Sequence, residues 1–573
     1  MKTIKIYYFI AILGLFIYGC DNLEPEFDRS LTDEQLWSDK DFTLAAITEA
    51  YDQLPAFYTD EFGGFLDCAT DNAVTNDFNS NLIPAGIAGI SQMNNPLNSW
   101  ENAYRQIRTL NQFLEILPNI DLAIDPALNE QVTKRSTGEA YFLRAWYQFE
   151  LLSRFAGVDE SGELMGYPIV LKPLSEDELA GITRNSFDEC MDQIVADIDE
   201  SLKYLPDDQY SSNDVVFGEQ QVGRAYKLAA LSLKSRVLLY AASPAYTLEK
   251  TDSEIKDLWV KAAMAANEAI QNIGNLPSIN TNGSLYKDPN HSEIIWRSFQ
   301  GDSNTPEREN FMPSLWGNGR TNPSQQLVDA FPMQDGYPIT ESPLYDPADP
   351  YKSRDKRFAL SVIYNTASFG GKVAEIYEGG NDYASSAQPR ATRTGYYLRK
   401  FINDNVNVVP GEDYSSEKHY YAFFRCAEIW LNYAEAANEA WGPTEDILGL
   451  GRSAETTLAE LRSRAGISGD TYLTEQADAG KESFRTLVQN ERRIELCFEN
   501  HRFFDVRRWM LPLDVLNEGV KGVKITKNGD NNFSFEYGIN VESRKFESYM
   551  YYNPLPEQVI YASKSAITQN KGW

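Results

Sequence analysis

The chain has 573 residues, 42% hydrophobic and 24% charged, and its 83 acidic against 52 basic side chains give a formal net charge of −31 at pH 7. That composition is globular, and the length exceeds what one compact core organises, so two or more subdomains are expected. The negative balance repels phosphate backbones and anionic headgroups, which argues against nucleic acid as a partner and against a lipid surface held by charge alone.

In chain order, the first element is an apolar run from Ile6 to Tyr18 that follows Lys2 and Lys5 and ends in Gly19-Cys20. It is shorter than the roughly 20 residues a membrane-spanning helix needs, and its basic start, apolar middle and small final residue describe a signal peptide over 1–19. Cleavage after Gly19 leaves Cys20 first, ahead of the polar stretch DNLEPEFD. A signal ending in Gly-Cys resembles the lipobox of bacterial lipoproteins, which implies acylation of Cys20, with palmitate as one such chain. At about 0.8 kcal/mol per buried methylene, two or more acyl chains hold a soluble domain on a membrane. The alternative is an ordinary cleaved signal that leaves Cys20 as a free thiol.

From Phe42 to Gln271 the pattern is mostly helical. In EAYFLRAWYQFELLSRF, Phe142, Trp146, Phe149 and Leu152 recur at helical spacing, and the Ala-rich RAYKLAALSLKSRVLLYAASPAY and LWVKAAMAANEAIQNI suit close helix–helix packing. Paired helices of this kind point to tetratricopeptide-like stacking in an N-terminal region, 20–273. The C-terminal region, 274–573, opens with a loop-rich stretch, 274–417, holding a few short β-like pieces, and returns to helices over 419–510 before a C-terminal tail. The predicted fold class is therefore mostly α: tetratricopeptide-like helix pairs, a loop-rich region and a few short strands. Trp100, Trp146, Trp430 and Trp509 have helical spacing and are expected in the core, as is Trp296.

Chemistry-bearing clusters are scarce. Cys68, Cys190, Cys426 and Cys497 form no CxxC, and His291, His419 and His501 stand far apart, so neither a metal site nor a cofactor is expected. No phosphate loop, zincin motif, nucleophile elbow or dinucleotide fingerprint occurs. Glu491 sits on an apolar helical face with Phe484, Leu487, Ile494 and Phe498. A buried carboxyl has the raised pKa of a general acid, but an internal ion pair with Arg492, Arg493, Arg502, Arg507 or Arg508 is the expected reading.

The segment ERRIELCFENHRFFDVRRW, Glu491 to Trp509, resembles the signature helix of the SusD/RagB family of outer-membrane lipoproteins. Further segments resemble the family in the same order: GEAYFLRAWYQFEL, SEIIW, PSQQLVDAFPMQDG, RCAEIWLNYAEAANE, LRSRAG and the tail NPLPEQV…QNKGW. The resemblance implies a SusD-like helical superhelix, lipid-anchored to the outer membrane and facing the cell exterior. It also implies a non-catalytic protein that captures oligosaccharide and delivers it to a SusC-like TonB-dependent transporter. A peptide-binding member of the same family is the alternative, and a surface glycoside hydrolase, which needs two carboxylates about 5–10 Å apart, is a distant third.

Sugar rings stack on exposed aromatic faces while their hydroxyls bond to amide, carboxylate or Arg groups, so the site is sought where aromatics and such groups meet on loops. NFMPSLWGNGRTNPSQQ places Phe311 and Trp316 among Asn318 and Arg320, with glycines that leave the Trp316 ring little cover. A second stretch, YTDEFGGFLDCATDNAVTNDFNSN, offers Tyr58, Phe62, Phe65 and Phe78 beside Asp71, Asn72 and Asn76. Trp316, Asn318, Arg320, Phe311, Phe62, Phe65, Asp71 and Asn72 are the candidate ligand-binding residues.

Overall fold

The computed structural model describes residues 37–59, 63–175, 178, 181–209, 222–279, 283–385, 388–530 and 532–573. The signal segment, Cys20 and Phe62 lie outside the described residues. The first half is built from helices α1 (Lys40–Asp52), α2 (Trp100–Ile116), α3 (Pro126–Phe155), α4 (Phe187–Ser201), α5 (Lys227–Ala241) and α6 (Asp252–Ile273). Their ends are written in the sequence. Asp125 caps α3 with Pro126 behind it, and Ser186 with Glu189 and Thr251 with Glu254 form capping boxes for α4 and α6. Each satisfies backbone N–H groups that a helix start leaves open.

In the second half, α7 (Cys426–Trp441), α8 (Ala454–Arg464), α9 (Thr471–Asp478), α10 (Lys481–Glu495) and α11 (Arg502–Arg508) follow the loop-rich region. Successive helices pack as pairs, α2 on α3, α3 on α4, α5 on α6, and α7 lies against α6, α8 and α10. The sheets among the described residues are two-stranded. The strands that matter here are β1 (Ala73–Thr75), β2 (Ile294–Arg297), β3 (Thr321–Pro323), β4 (Ala422–Arg425), β5 (Val520–Gly529) and β6 (Asn532–Glu542). Antiparallel pairs join β1 to β3, β2 to β4 and β5 to β6.

Two hydrophobic cores result. The first lies between the helices and holds Trp100, Trp146, Trp296 and Trp430, with Trp146 edge-on to Trp296 at 5.1 Å. Trp509 is buried as well. The second lies under the loop-rich region and is aromatic, with Phe65, Phe311, Phe331, Phe358, Tyr396, Tyr397 and Phe498. It gathers Tyr58 to Ile90 from the first half of the chain, while the first core takes in α7, α8 and α10 from the second half. Cys68, Cys190, Cys426 and Cys497 are all buried.

Where the cores meet, a buried charge network ties them together. Arg425 lies 2.9 Å from Glu293, 2.8 Å from Glu495 and 2.7 Å from Glu499. Arg464 reaches Glu293 and Glu495 at 2.7 Å each, and Lys400 reaches Glu499 at 2.6 Å. Burial pushes Glu495 and Glu499 up, but the surrounding cations outweigh it and hold both carboxyls below the usual range.

Glu491 is fully buried and ion-paired, as expected, but to different partners. Arg357 stands 2.9 Å away and Arg462 is bonded to its other oxygen. The neighbouring arginines leave the helix in other directions. Arg492 and Arg508 close on Asp505, Arg508 also on Glu435, Arg493 and Arg502 grip Asp71, and Arg507 lies over the Phe503 ring. A step of one residue turns about 100° around a helix, so sequence neighbours cannot share one buried face.

His501 sits in this region with Nδ1 3.3 Å from Arg492 Nη2 and Nε2 3.9 Å from Glu428. Burial, then the guanidinium groups of Arg492, Arg236, Arg425 and Arg508, hold its pKa well below 6.5. The folded state therefore keeps the ring neutral where the unfolded chain protonates it. The resulting stability is complete above about pH 6.5 and is lost at about 1.4 kcal/mol per pH unit as pH falls below it. A His501→Gln variant, still able to accept from Arg492, is expected to lose that component of the slope when urea midpoints are compared between pH 5.5 and 7. An unchanged slope would assign the acid sensitivity to other groups.

Candidate functional site

Trp316 follows a short 3-10 turn, Pro313–Leu315, and adopts the left-handed conformation with φ +66°. A bulky side chain in that region costs about 1–2 kcal/mol, so the surrounding bonds must impose it. They do. The Trp316 N–H donates to Pro313 O at 2.9 Å, Asn318 N–H to Arg308 O at 2.9 Å, Gly319 N–H to Phe311 O at 3.0 Å and Arg320 N–H to Glu309 O at 2.9 Å. Below, the buried Asp382 carboxylate accepts from the Ser314 backbone at 2.9 Å and its hydroxyl at 3.1 Å. At Gly317 a Cβ would fall 2.1 Å from Phe311 O, so the turn admits no side chain there. The outcome is a Trp316 ring 56% exposed on a rigid loop.

The β1–β3 ladder, pairing Thr75 with Thr321, brings the second candidate stretch beside the first. Asn76 is the hub: its side-chain amide donates to Asn318 O at 2.8 Å and Arg390 O at 3.0 Å, so three loops are pinned at one residue. Beyond it Phe78 is 75% exposed, its ring 5.1 Å from the Arg393 guanidinium. Arg393 is itself fixed by Thr75 O and Glu542, each at 2.7 Å. The surface thus presents two aromatic faces, Trp316 and Phe78, on loops tied to one framework.

Other candidates hold that framework from within. Asn318 donates to Glu309 at 2.8 Å, and Arg320 reaches Glu309 at 3.1 Å and Asp77 at 3.2 Å, so both support the loop from its inner side. Phe311 and Phe65 belong to the second core: Phe311 meets Phe369 edge-on at 5.8 Å, and Phe65 packs among Phe57, Tyr58 and Phe498. With 2% and 0% exposure neither ring offers a face to a ligand, because large aromatics beside glycine turns fill the space the turns create. Asp71 is clamped by Arg493 at 2.9 Å and Arg502 at 2.8 Å, and Asn72 is fully buried between Asp67 and Arg493. Phe311, Phe65 and Asn72 are corrected to interior positions, and Asp71 to a partly buried ion pair. Arg390 and Arg393 carried no local signal, since tertiary contacts alone bring them to Asn76 and Phe78.

Two cavities among the described residues lie elsewhere. One of about 650 Å³ is lined by Trp100, Tyr104, Val170 and Val559, and one of about 630 Å³ by Trp259, Glu439, Arg485 and Trp509. Among the described residues no cluster of three or more His, Cys, Asp or Glu is placed to hold a metal ion. The Trp316 surface is open, a form that admits an internal stretch of a long polymer.

Residues 292–573 match the family model described as SusD family, and residues 39–239 the one described as "Starch-binding associating with outer membrane". The chain belongs to the SusD/RagB family. SusD-like protein P38 of Formosa agariphila is 23% identical over 544 residues, covering 90% of this chain and 93% of that protein. SusD-like protein P2 of the same organism is 24% identical over 551 residues, covering 93% and 95%. Among solved structures, a SusD-like protein from Bacteroides fragilis superposes with a TM-score of 0.74 at 25% identity over 94% of this chain and 98% of that one. A SusD-like carbohydrate binding protein from the same species gives 0.71 at 23%, covering 93% and 99%, and a laminarin binding SusD-like protein gives 0.59 at 20%, also covering 93% and 99%. The mostly helical SusD-like fold expected from the sequence is the fold observed, and the family is one of outer-membrane association and carbohydrate binding.

Proposed function

We propose that this SusD-like protein is a non-catalytic glycan-binding lipoprotein of the outer membrane that captures oligosaccharide on the Trp316–Phe78 surface and passes it to a SusC-like TonB-dependent transporter. The observation that carries the reading is Trp316 itself. A strained backbone, a glycine that tolerates no side chain and a buried carboxylate combine to hold one indole ring outward. That arrangement leaves more than half of the residue uncovered, little burial for a large apolar ring, so its use is to meet something from outside. Sugar rings present the apolar C–H face that such a ring stacks against. The test is affinity-gel retardation and calorimetry of the full chain, kept in a polyoxyethylene detergent that carries no sugar, against plant, host and microbial polysaccharides and a peptide mixture. Saturable binding to one glycan class supports the reading, whereas binding of peptides alone overturns it in favour of a peptide carrier.

In this reading Cys20 carries the anchor, and no helix among the described residues is long and apolar enough to cross a membrane. Metabolic labelling with palmitate is expected to mark the parent and not a Cys20→Ser variant, which should leave the membrane fraction. Membrane retention of an unlabelled Cys20→Ser protein would remove the anchor assignment.

A further inference from the structure

The charge around Trp316 runs against the charge of the chain. Four arginines belong to the segments that frame Trp316 and Phe78, in a protein of net charge −31: Arg308, in the short helix Thr305–Asn310 and with its carbonyl accepting from Asn318 N–H, Arg390, whose carbonyl accepts from Asn76, and Arg320 and Arg393. The carboxylates that accompany them are turned inward. Glu309, Asp77 and Glu542 have side chains 18%, 12% and 9% exposed, each engaged by Arg320 or Arg393. Arg308 is 49% exposed with Glu309 no closer than 3.6 Å, and Arg390 is exposed with no carboxylate partner among the described residues. Arg320 and Arg393, with side chains 23% and 18% exposed, are engaged by those carboxylates, so the charged groups left outward on these segments are Arg308 and Arg390. Guanidinium pairs with a carboxylate or sulfate through two parallel hydrogen bonds, a geometry that neutral sugar hydroxyls do not match.

We propose that the ligand class of this surface is an acidic glycan, one bearing uronate carboxylates or sulfate esters, with Arg390 and Arg308 as the residues that select for the anion. The proposal rests on the glycan-binding reading of the same site and adds the charge of the sugar to it. Trp316 and Phe78 supply the stacking faces, and the arginines set the preference between otherwise similar backbones.

The experiment measures binding of the full chain to polygalacturonate, alginate and carrageenan, each beside its carboxyl-reduced or desulfated form, with laminarin as a neutral control. At least one acidic polymer is expected to bind at least about ten times more tightly than its neutralised form, the preference shrinking as NaCl rises from about 0.05 to about 0.5 M because exposed charges are screened. Uronate and sulfate polymers in separate arms identify which anion is taken. Arg390→Glu, and independently Arg308→Glu, are expected to weaken that binding at least tenfold with the melting temperature unchanged. Neutral-polymer binding that Trp316→Ala abolishes and Arg390→Glu leaves intact would overturn the acidic class and leave the glycan reading standing. Acidic-polymer retention that survives Trp316→Ala would be ion exchange at the surface and would overturn the proposal. Failure of every polymer, neutral and acidic, overturns both.

Discussion

Arg425→Met is expected to lower the stability of the protein by about 3–5 kcal/mol, read as a fall in the urea midpoint followed by tryptophan fluorescence. Arg425 is 3% exposed and lies against Glu293 on one side and against Glu495 and Glu499, four residues apart, on the other. Methionine keeps most of the volume, so the loss is electrostatic and not a cavity. Arg464 still reaches Glu293 and Glu495 and Lys400 still reaches Glu499, but these two cations then face three carboxylates, which leaves a surplus negative charge buried. A buried charge left uncompensated is among the few lesions that cost this much in one substitution. Because Arg425 joins β4 to α7 of the first core, while Glu495 and Glu499 flank Ile494, Cys497 and Phe498 of the second, the effect should reach both cores and not one. Adding Glu499→Gln to Arg425→Met should restore part of the loss, since the surplus negative charge is then removed. A loss below about 1 kcal/mol would mean that water enters the network and screens it.

Trp316→Ala is expected to weaken glycan binding by at least about 2 kcal/mol, some thirtyfold in Kd, without lowering the melting temperature. The two readouts separate because the ring is more exposed than buried and supports nothing beneath it. Trp316→Gly sharpens the contrast. Glycine at φ +66° removes about 1–2 kcal/mol of left-handed strain and costs about 0.5–1 kcal/mol in unfolded-chain freedom, so that variant should be at least as stable as the parent. Loss of binding with gain of stability is the mark of a position strained for use. If Trp316→Gly melted well below the parent, the ring would be structural and the site would have to be sought elsewhere.

The sequence determined a good deal by itself. Helical spacing placed Trp100, Trp146, Trp430 and Trp509 inside, and the glycines around Trp316 foretold an uncovered ring. These are local properties, set within one or two turns of chain. The burial of Glu491 was equally legible, being one position on a periodic face. Its partners were not, because Arg357 and Arg462 arrive from elsewhere in the fold while the adjacent arginines point away. The same limit explains Asp71 and Asn72. On a polar loop they read as surface, yet Arg493 and Arg502, more than 400 positions further along, close over them. Phe65 and Phe311 read as loop aromatics, and the tertiary structure made them core by folding two distant loop stretches onto each other through the β1–β3 ladder. Which ring stays outside and which charges face the ligand was decided there. Burial and ion pairing depend on groups that chain distance hides, whereas periodicity and capping depend on groups that it keeps together.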